Sequence, residues 1–312
     1  MILISEDVWG APFEQLSKRR AVHQDPELWN DAAKLKAEVA NAEVLVVRNR
    51  TQVTAEVIAA APKLKVIARA GVGLDNIDIK AADQAGVVVV AGLGANAVSV
   101  AELTLGLALA LRRQIALQDR QTKSGKWLRT PGNEISGSTW GLLGCGATGR
   151  ATAKLLTGFG CKVLGYDPFF KGNSEIQMVE WDQLISQSDV ISVHMPATSE
   201  TIGSINKGVF AAMKDSAILV NVGRGELINE NDLISALKDG QIAGAGLDVR
   251  TSEPPTTGEL EKLDNVILTP HIAGITRESQ NKINKILVDN ILLVLNGKSA
   301  THAVGAMRES LK

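Results

Sequence analysis

Gly141-Leu-Leu-Gly-Cys-Gly-Ala-Thr-Gly-Arg150 decides how this chain is read. It has the form of a strand, a glycine turn and the start of a helix. Gly144 permits a tight turn, Gly146 lets backbone approach a pyrophosphate, and Gly149 lets the helix pack close to the strand. The helix start offers free N–H groups and a positive dipole end to phosphate. The surroundings carry the motif. Ser138-Thr-Trp-Gly-Leu-Leu-Gly144 is apolar and β-prone, and 148–159 has apolar residues at helical spacing. Lys162-Val-Leu-Gly-Tyr-Asp167 reads as the next strand, with an acid at its C-terminal end. Asp167 suits the ribose hydroxyls of a dinucleotide that lacks a 2′-phosphate. The segment therefore predicts a NAD site.

Outward from it, strand-like and helix-like segments alternate. Apolar β-rich runs at 2–5, 44–48, 66–70 and 87–90 are separated by helical patterns at 31–39, 55–60 and 79–84. The rhythm resumes after Thr139, with strands near Val163, Val190, Ile218, Ala245 and Val266. This is an α/β chain with parallel sheets covered on both faces. The helix expected over 99–114 is apolar around most of its circumference, which predicts burial on several sides and makes it a candidate cross-domain or subunit contact. A last helix over 276–296 ends at Gly297, a fitting C′ residue. It is expected to return to the first domain and make that domain discontinuous: 1–97 plus 283–312 for substrate, with 98–282 the inserted Rossmann cofactor domain.

Composition excludes other classes. The chain has 312 residues, a formal net charge of −1, 45% hydrophobic and 21% charged residues. That is an ordinary globular balance, long enough for about two domains, with no basic excess to favour nucleic acid. Met1-Ile-Leu-Ile-Ser-Glu-Asp7 turns acidic at once, unlike a signal peptide, and the longest uncharged stretches are interrupted by Gly, Asn and Ser, unlike a membrane span. Two cysteines, Cys145 and Cys161, suit a reducing cytoplasm. No metal site is expected.

Taken in order, the motifs resemble the D-isomer-specific 2-hydroxyacid dehydrogenases, and most the phosphoglycerate dehydrogenase branch. The markers are Arg69-Ala-Gly-Val-Gly-Leu-Asp-Asn76, Gly125-Lys-Trp-Leu-Arg129, the glycine turn with Tyr166-Asp-Pro168, Asn221-Val-Gly-Arg-Gly225, Gly246-Leu-Asp-Val249 with Glu253-Pro-Pro255, and Thr269-Pro-His-Ile-Ala-Gly274. The resemblance implies a Rossmann domain inserted in a flavodoxin-like domain, both doubly wound, and NAD-dependent interconversion of a small D-2-hydroxy acid and its keto acid. It places Arg224, Glu253 and His271 at the catalytic centre. A histidine titrates near neutrality and suits proton exchange with the C2 hydroxyl. A carboxylate beside it fixes the tautomer, and a guanidinium can hold the substrate carboxylate bidentately.

The resemblance assigns cofactor contacts to Val72, Gly144, Gly146, Ala147, Thr148, Gly149, Asp167, His194, Met195, Val222, Gly223, Asp248 and Gly274. Asp248 is expected near the nicotinamide carboxamide. His194 is expected to shape the pocket and not to transfer protons. Substrate contacts fall to Arg48, Arg69, Val72, Gly73, Asn96 and Arg129, the arginines facing a second anionic group. A homodimer or homotetramer is implied. Three departures stand out. The sequence stops near its last helix, so serine feedback through a regulatory domain is not expected. Ala147-Thr148 replaces a common Arg-Ile pair. Arg250 stands where many members have an aromatic residue, either favouring a more anionic substrate or facing water. Sulfolactate, glycerate or glyoxylate chemistry, and an NAD(H)-sensing binding protein of the same fold, remain the alternatives.

Overall fold

The computed structural model describes residues 1–306. The chain divides into two compact units: Met1–Asn96 with the chain from Ile275 onward, and Ala97–Gly274. The first unit opens with β1 (Ile2–Ile4), α1 (Ala11–Ser17), β2 (Val22–Gln24), α2 (Ala32–Val39), β3 (Val44–Val47), α3 (Ala55–Ala59), β4 (Val66–Arg69), α4 (Ile79–Gln84) and β5 (Val88–Ala91). These strands pair in parallel in the order β5-β4-β3-β1-β2, the flavodoxin-like doubly wound order, whose reversal lies between β1 and β3. Every residue of β3 is fully buried, because helices cover both faces and a central parallel strand meets no water.

The second unit starts with α5 (Ala97–Arg112) and α6 (Ile115–Lys123). It continues through β6 (Thr139–Leu143), α7 (Ala147–Leu156), β7 (Lys162–Tyr166), β8 (Gln177–Met178), α8 (Trp181–Gln187), β9 (Val190–Val193), α9 (Lys207–Ala212), β10 (Ile218–Asn221), α10 (Glu230–Lys238), β11 (Gly244–Leu247) and β12 (Val266–Leu268). The parallel order β12-β11-β10-β9-β6-β7-β8 is the Rossmann order with one added strand, and it reverses between β6 and β9. Alternate strand residues feed two cores: Leu143, Ile191 and Val193 on one face, Trp140, Leu142 and Val190 on the other.

Two expectations are corrected here. The helix expected over 99–114 ends at Arg112, because Gln114 turns left-handed (φ 52°) and a separate polar helix, α6, follows. In this unit α5 buries Val100, Ala101, Thr104, Leu107 and Ala108, while Leu103, Leu105 and Leu109 remain half-buried. The boundary expected at 282/283 falls inside α11 (Arg277–Leu295), which lies whole in the first unit. There its apolar stripe of Ile283, Leu287, Val288 and Ile291 packs with Ile2, Ile4, Val44 and Val46, and splitting it would expose that stripe. The helix opens on a capping box of Thr276 and Ser279 and is followed by Gly297 at φ 72°. β13 (Ala303–Val304) then pairs antiparallel with β5. Residues 307–312 of the expected 283–312 segment lie outside the described residues.

Candidate active site

The glycine turn sits at the reversal of the second sheet, at the C-terminal end of β6. Gly144 has φ 97°, a region that side chains rarely adopt. A Cβ on Gly149 would lie 2.2 Å from the Gly144 carbonyl oxygen, so α7 approaches the turn as closely as backbone allows. A side chain at Gly146 would meet nothing within 4 Å, which leaves the turn open on that side. Gly146 is the N-cap of α7, and Ala147 and Thr148 form its first turn. An open glycine turn leading into a ten-residue helix fits a pyrophosphate.

Asp167 follows β7 and does more than the sequence suggested. Its Oδ2 accepts from the Cys145 N–H at 2.8 Å, and its Oδ1 accepts from Phe169 and Phe170 at 2.8 and 3.2 Å. It therefore ties the glycine turn to the turn after β7. An ionised carboxylate has about four acceptor sites, so one direction remains for a ribose hydroxyl. Asp167→Asn keeps an acceptor for the turn but loses the charge. We expect it to erode preference for NAD over NADP by about 10–100-fold, the worth of one charged hydrogen bond. Parallel NAD and NADP kinetics check this, and unchanged selectivity would leave Asp167 a purely local clasp.

His194 and Met195 follow β9 beneath the same turn: a Cβ on Gly144 would lie 2.7 Å from the Met195 nitrogen. Burial pushes the His194 imidazole down to about 3, so it stays neutral at working pH and cannot serve as a proton donor. Its Nε2 lies 3.1 Å from Ser192 Oγ, which accepts from Trp140 Nε1 at 2.8 Å. Met195 is buried in the core, and Gly223 packs against its carbonyl, with half-buried Val222 beside it. Burial also pushes the Cys145 thiol up to about 12, so it carries no thiolate.

The three candidate catalytic residues come from adjacent strand ends. Asn221 of β10 pairs with Leu247 of β11, which pairs with Leu268 of β12. Arg224, Glu253 and His271 lie in the segments that follow these strands, at the sheet edge where parallel α/β folds bind ligands. His271 Nδ1 is 2.7 Å from Glu253 Oε2. That hydrogen bond raises the imidazole above its ordinary range against the opposing effect of burial. Burial pulls Glu253 up, but His271 and the Arg250 N–H outweigh it and hold the carboxyl below the usual range. Arg224 is half-buried; its Nη1 donates to the Gly223 carbonyl and its own carbonyl accepts from Asn221 Nδ2, both at 2.8 Å.

Asp248 is 1% exposed, and its carboxylate is taken up by the loop that carries His271. Oδ1 accepts from Thr269 Oγ1 at 2.6 Å and Ile272 N–H at 2.9 Å; Oδ2 accepts from Ala273 N–H at 2.8 Å. His271 itself is left-handed (φ 55°), a conformation that needs such outside support. Asp248 thus holds the turn that carries His271, a role that sequence reasoning missed. Gly274 closes the unit. Arg129 is exposed on the irregular 124–135 segment.

In the first unit, Arg48 follows β3 and Arg69 ends β4, with Val47 and Arg69 paired in register. Arg48 Nη1 donates to the Asp7 carbonyl at 3.1 Å. Arg69 is 9% exposed and its guanidinium curls over Gly71, away from open solvent. Val72 and Gly73 lie half-buried in the loop after β4, and Asn96 Oδ1 is buried without a partner. Buried Glu6, unremarked in the sequence, accepts from the N–H groups of Arg48, Arg50 and Thr51 and shapes the loop after β3.

Residues 105–273, more than half of the chain, match the model of the D-isomer specific 2-hydroxyacid dehydrogenase, NAD binding domain. The D-3-phosphoglycerate dehydrogenase of Archaeoglobus fulgidus is 47% identical over 274 residues, covering 86% of this chain and 52% of that protein. The chain spans about half the length of the curated relatives it matches. Among solved structures, the TT0316 protein of Thermus thermophilus superposes with a TM-score of 0.91 at 33% identity, covering 97% of this chain and 99% of that one. D-Lactate dehydrogenase from Aquifex aeolicus, complexed with NAD and lactic acid, gives 0.83 at 29% identity, covering 95% and 96%. The chain belongs to the D-isomer-specific 2-hydroxyacid dehydrogenase family and carries its NAD-binding domain.

Proposed function

We propose that this protein is a NAD-dependent dehydrogenase interconverting a small D-2-hydroxy acid and its 2-keto acid, with D-3-phosphoglycerate the foremost substrate. The observation that carries it is the 2.7 Å His271–Glu253 pair beside Arg224, on the same sheet edge as the open glycine turn. The Archaeoglobus fulgidus relative supports the substrate class. A nicotinamide dinucleotide held by Gly144, Gly146, Gly149 and the start of α7 supplies the hydride chemistry. His271 Nε2 takes the C2 hydroxyl proton in oxidation and returns it in reduction, while Nδ1–H stays on Glu253. Arg224 holds the substrate carboxylate and polarises the C2 oxygen. Arg48 and Arg69, at strand ends beside the sheet reversal of the first unit, take the second anionic group.

Keto-acid reduction needs charged His271, so its rate falls as pH rises through the raised imidazole pKa. Glu253→Gln removes the main cause of that rise. The alkaline limb of the reductive kcat/KM profile is therefore expected to move to lower pH, and a limb that stays in place would separate Glu253 from the titration.

We further propose a cytoplasmic homodimer. Its support is the half-buried Leu103, Leu105 and Leu109 of α5, with Trp127 80% and Leu128 53% exposed on the 124–135 segment. Trp127→Ser combined with Leu128→Ser is expected to halve the mass in sedimentation, and an unchanged mass would contradict this interface. The free Cys145 and Cys161 suit a reducing compartment, and no helix among the described residues is long and apolar enough to cross a membrane.

The substrate test is NADH oxidation with phosphohydroxypyruvate, sulfopyruvate, hydroxypyruvate, glyoxylate and pyruvate. Phosphohydroxypyruvate is expected to lead pyruvate by about 10²-fold in kcat/KM, as paired charged contacts would give. Binding of NADH with no turnover of any acid would favour the NAD(H)-sensing alternative.

A further inference from the structure

Arg250 faces neither open water nor the candidate reacting centre. Its side chain is 11% exposed and forms a fork with Glu230, Nε to Oε1 at 2.9 Å and Nη2 to Oε2 at 3.0 Å. Its Nη1 donates to Glu261 Oε1 at 2.7 Å. Glu230 is the first residue of α10, and Glu261 lies in the single helical turn Leu260–Lys262. One guanidinium thus joins the two ends of the loop that carries Glu253 to regular structure. The same residue's backbone N–H donates to Glu253 Oε1 at 3.0 Å, while Oε2 accepts from His271 Nδ1 at 2.7 Å. On its other side, a Cβ on Gly225 would lie 2.0 Å from the Arg250 carbonyl carbon, so the Arg224-Gly225 backbone rests flush on residue 250.

We propose that Arg250 is a positioning residue that, clamped between Glu230 and Glu261, fixes Glu253 so that its carboxylate holds the His271 proton on Nδ1. The proposal rests on the reading of His271 as the proton-transfer group. A fork to two carboxylates suits this work because the planar guanidinium defines a direction, which a lysine ammonium does not. Misplacing a reacting group by about 1 Å through a change outside the reacting centre can cost on the order of 10²-fold in rate.

The test reads the ring ¹⁵N shifts of His271 at a pH where the imidazole is neutral, the signals being assigned by their absence in His271→Asn. The intact chain is expected to hold the proton on Nδ1. Arg250→Met should return His271 to the mixed tautomers of free imidazole and lower kcat about tenfold, with the Kd for NADH unchanged. Glu230→Met removes the fork from outside the loop and decides the matter if Arg250→Met fails to fold. A wild-type tautomer in the folded variants, or no Nδ1 preference in the intact chain, would overturn the proposal. Loss of the tautomer preference in a protein that reduces no keto acid would leave the clamp standing and retire the dehydrogenase reading instead.

Discussion

Replacing His271 by Asn is expected to lower kcat by about 10²–10⁴-fold while NADH binding is unchanged. An asparagine can still bond Glu253, so the loop keeps its anchor. It cannot exchange a proton with the C2 oxygen, and the bond to hydrogen must then be made or broken without an acid or base. His194 offers no substitute, since burial keeps it neutral and unable to donate. The turn itself should survive, because Asp248 holds the Ile272 and Ala273 N–H groups independently of the imidazole. Steady-state kinetics with NADH fluorescence titration check this. Wild-type turnover in the variant would remove His271 from proton transfer.

Replacing Arg224 by Met is expected to lower kcat/KM by about 10²–10³-fold, through both KM and kcat. The fork to a substrate carboxylate and the donor to a developing alkoxide are both lost, and loss of one such oxyanion donor by itself costs about 10²–10³-fold. Methionine keeps most of the chain's bulk beside Gly223, so the loss is one of charge and direction. Arg224→Lys is expected to recover little, because one ammonium cannot reproduce the fork. A variant affected only in KM would mean that Arg224 binds substrate and transition state equally.

How much was legible in the sequence followed from where each signal resides. Val44-Leu45-Val46-Val47 and Ile218-Leu219-Val220-Asn221 read as strands because central parallel strands must be apolar throughout. Val22-His23-Gln24 and Gln177-Met178 did not, because edge strands this short have one wet side and no periodicity. α6 was missed because its polar residues show no apolar stripe, and the left-handed Gln114 that separates it from α5 is not a glycine. Arg224, Glu253 and His271 were legible as candidates because hydroxy-acid chemistry calls for those types and they stand in the order of the family's motifs.

What was not legible is what holds the site in place. Asp248 reaches Thr269 and Ala273, Arg250 reaches Glu230 and Glu261, and Glu6 reaches Arg48 and Thr51. These contacts join residues far apart in the chain and leave no spacing to read. Asp167 was legible for its position at a strand end, but not for the glycine turn that it also braces.

The most direct measurement is deuterium transfer. The protein is incubated with NADH carrying deuterium at both C4 positions and its best 2-keto acid, and the product is analysed for label position and configuration. One deuterium is expected at C2 of a D-2-hydroxy acid. A product of the opposite configuration, or one without label at C2, would contradict the D-2-hydroxyacid dehydrogenase reading.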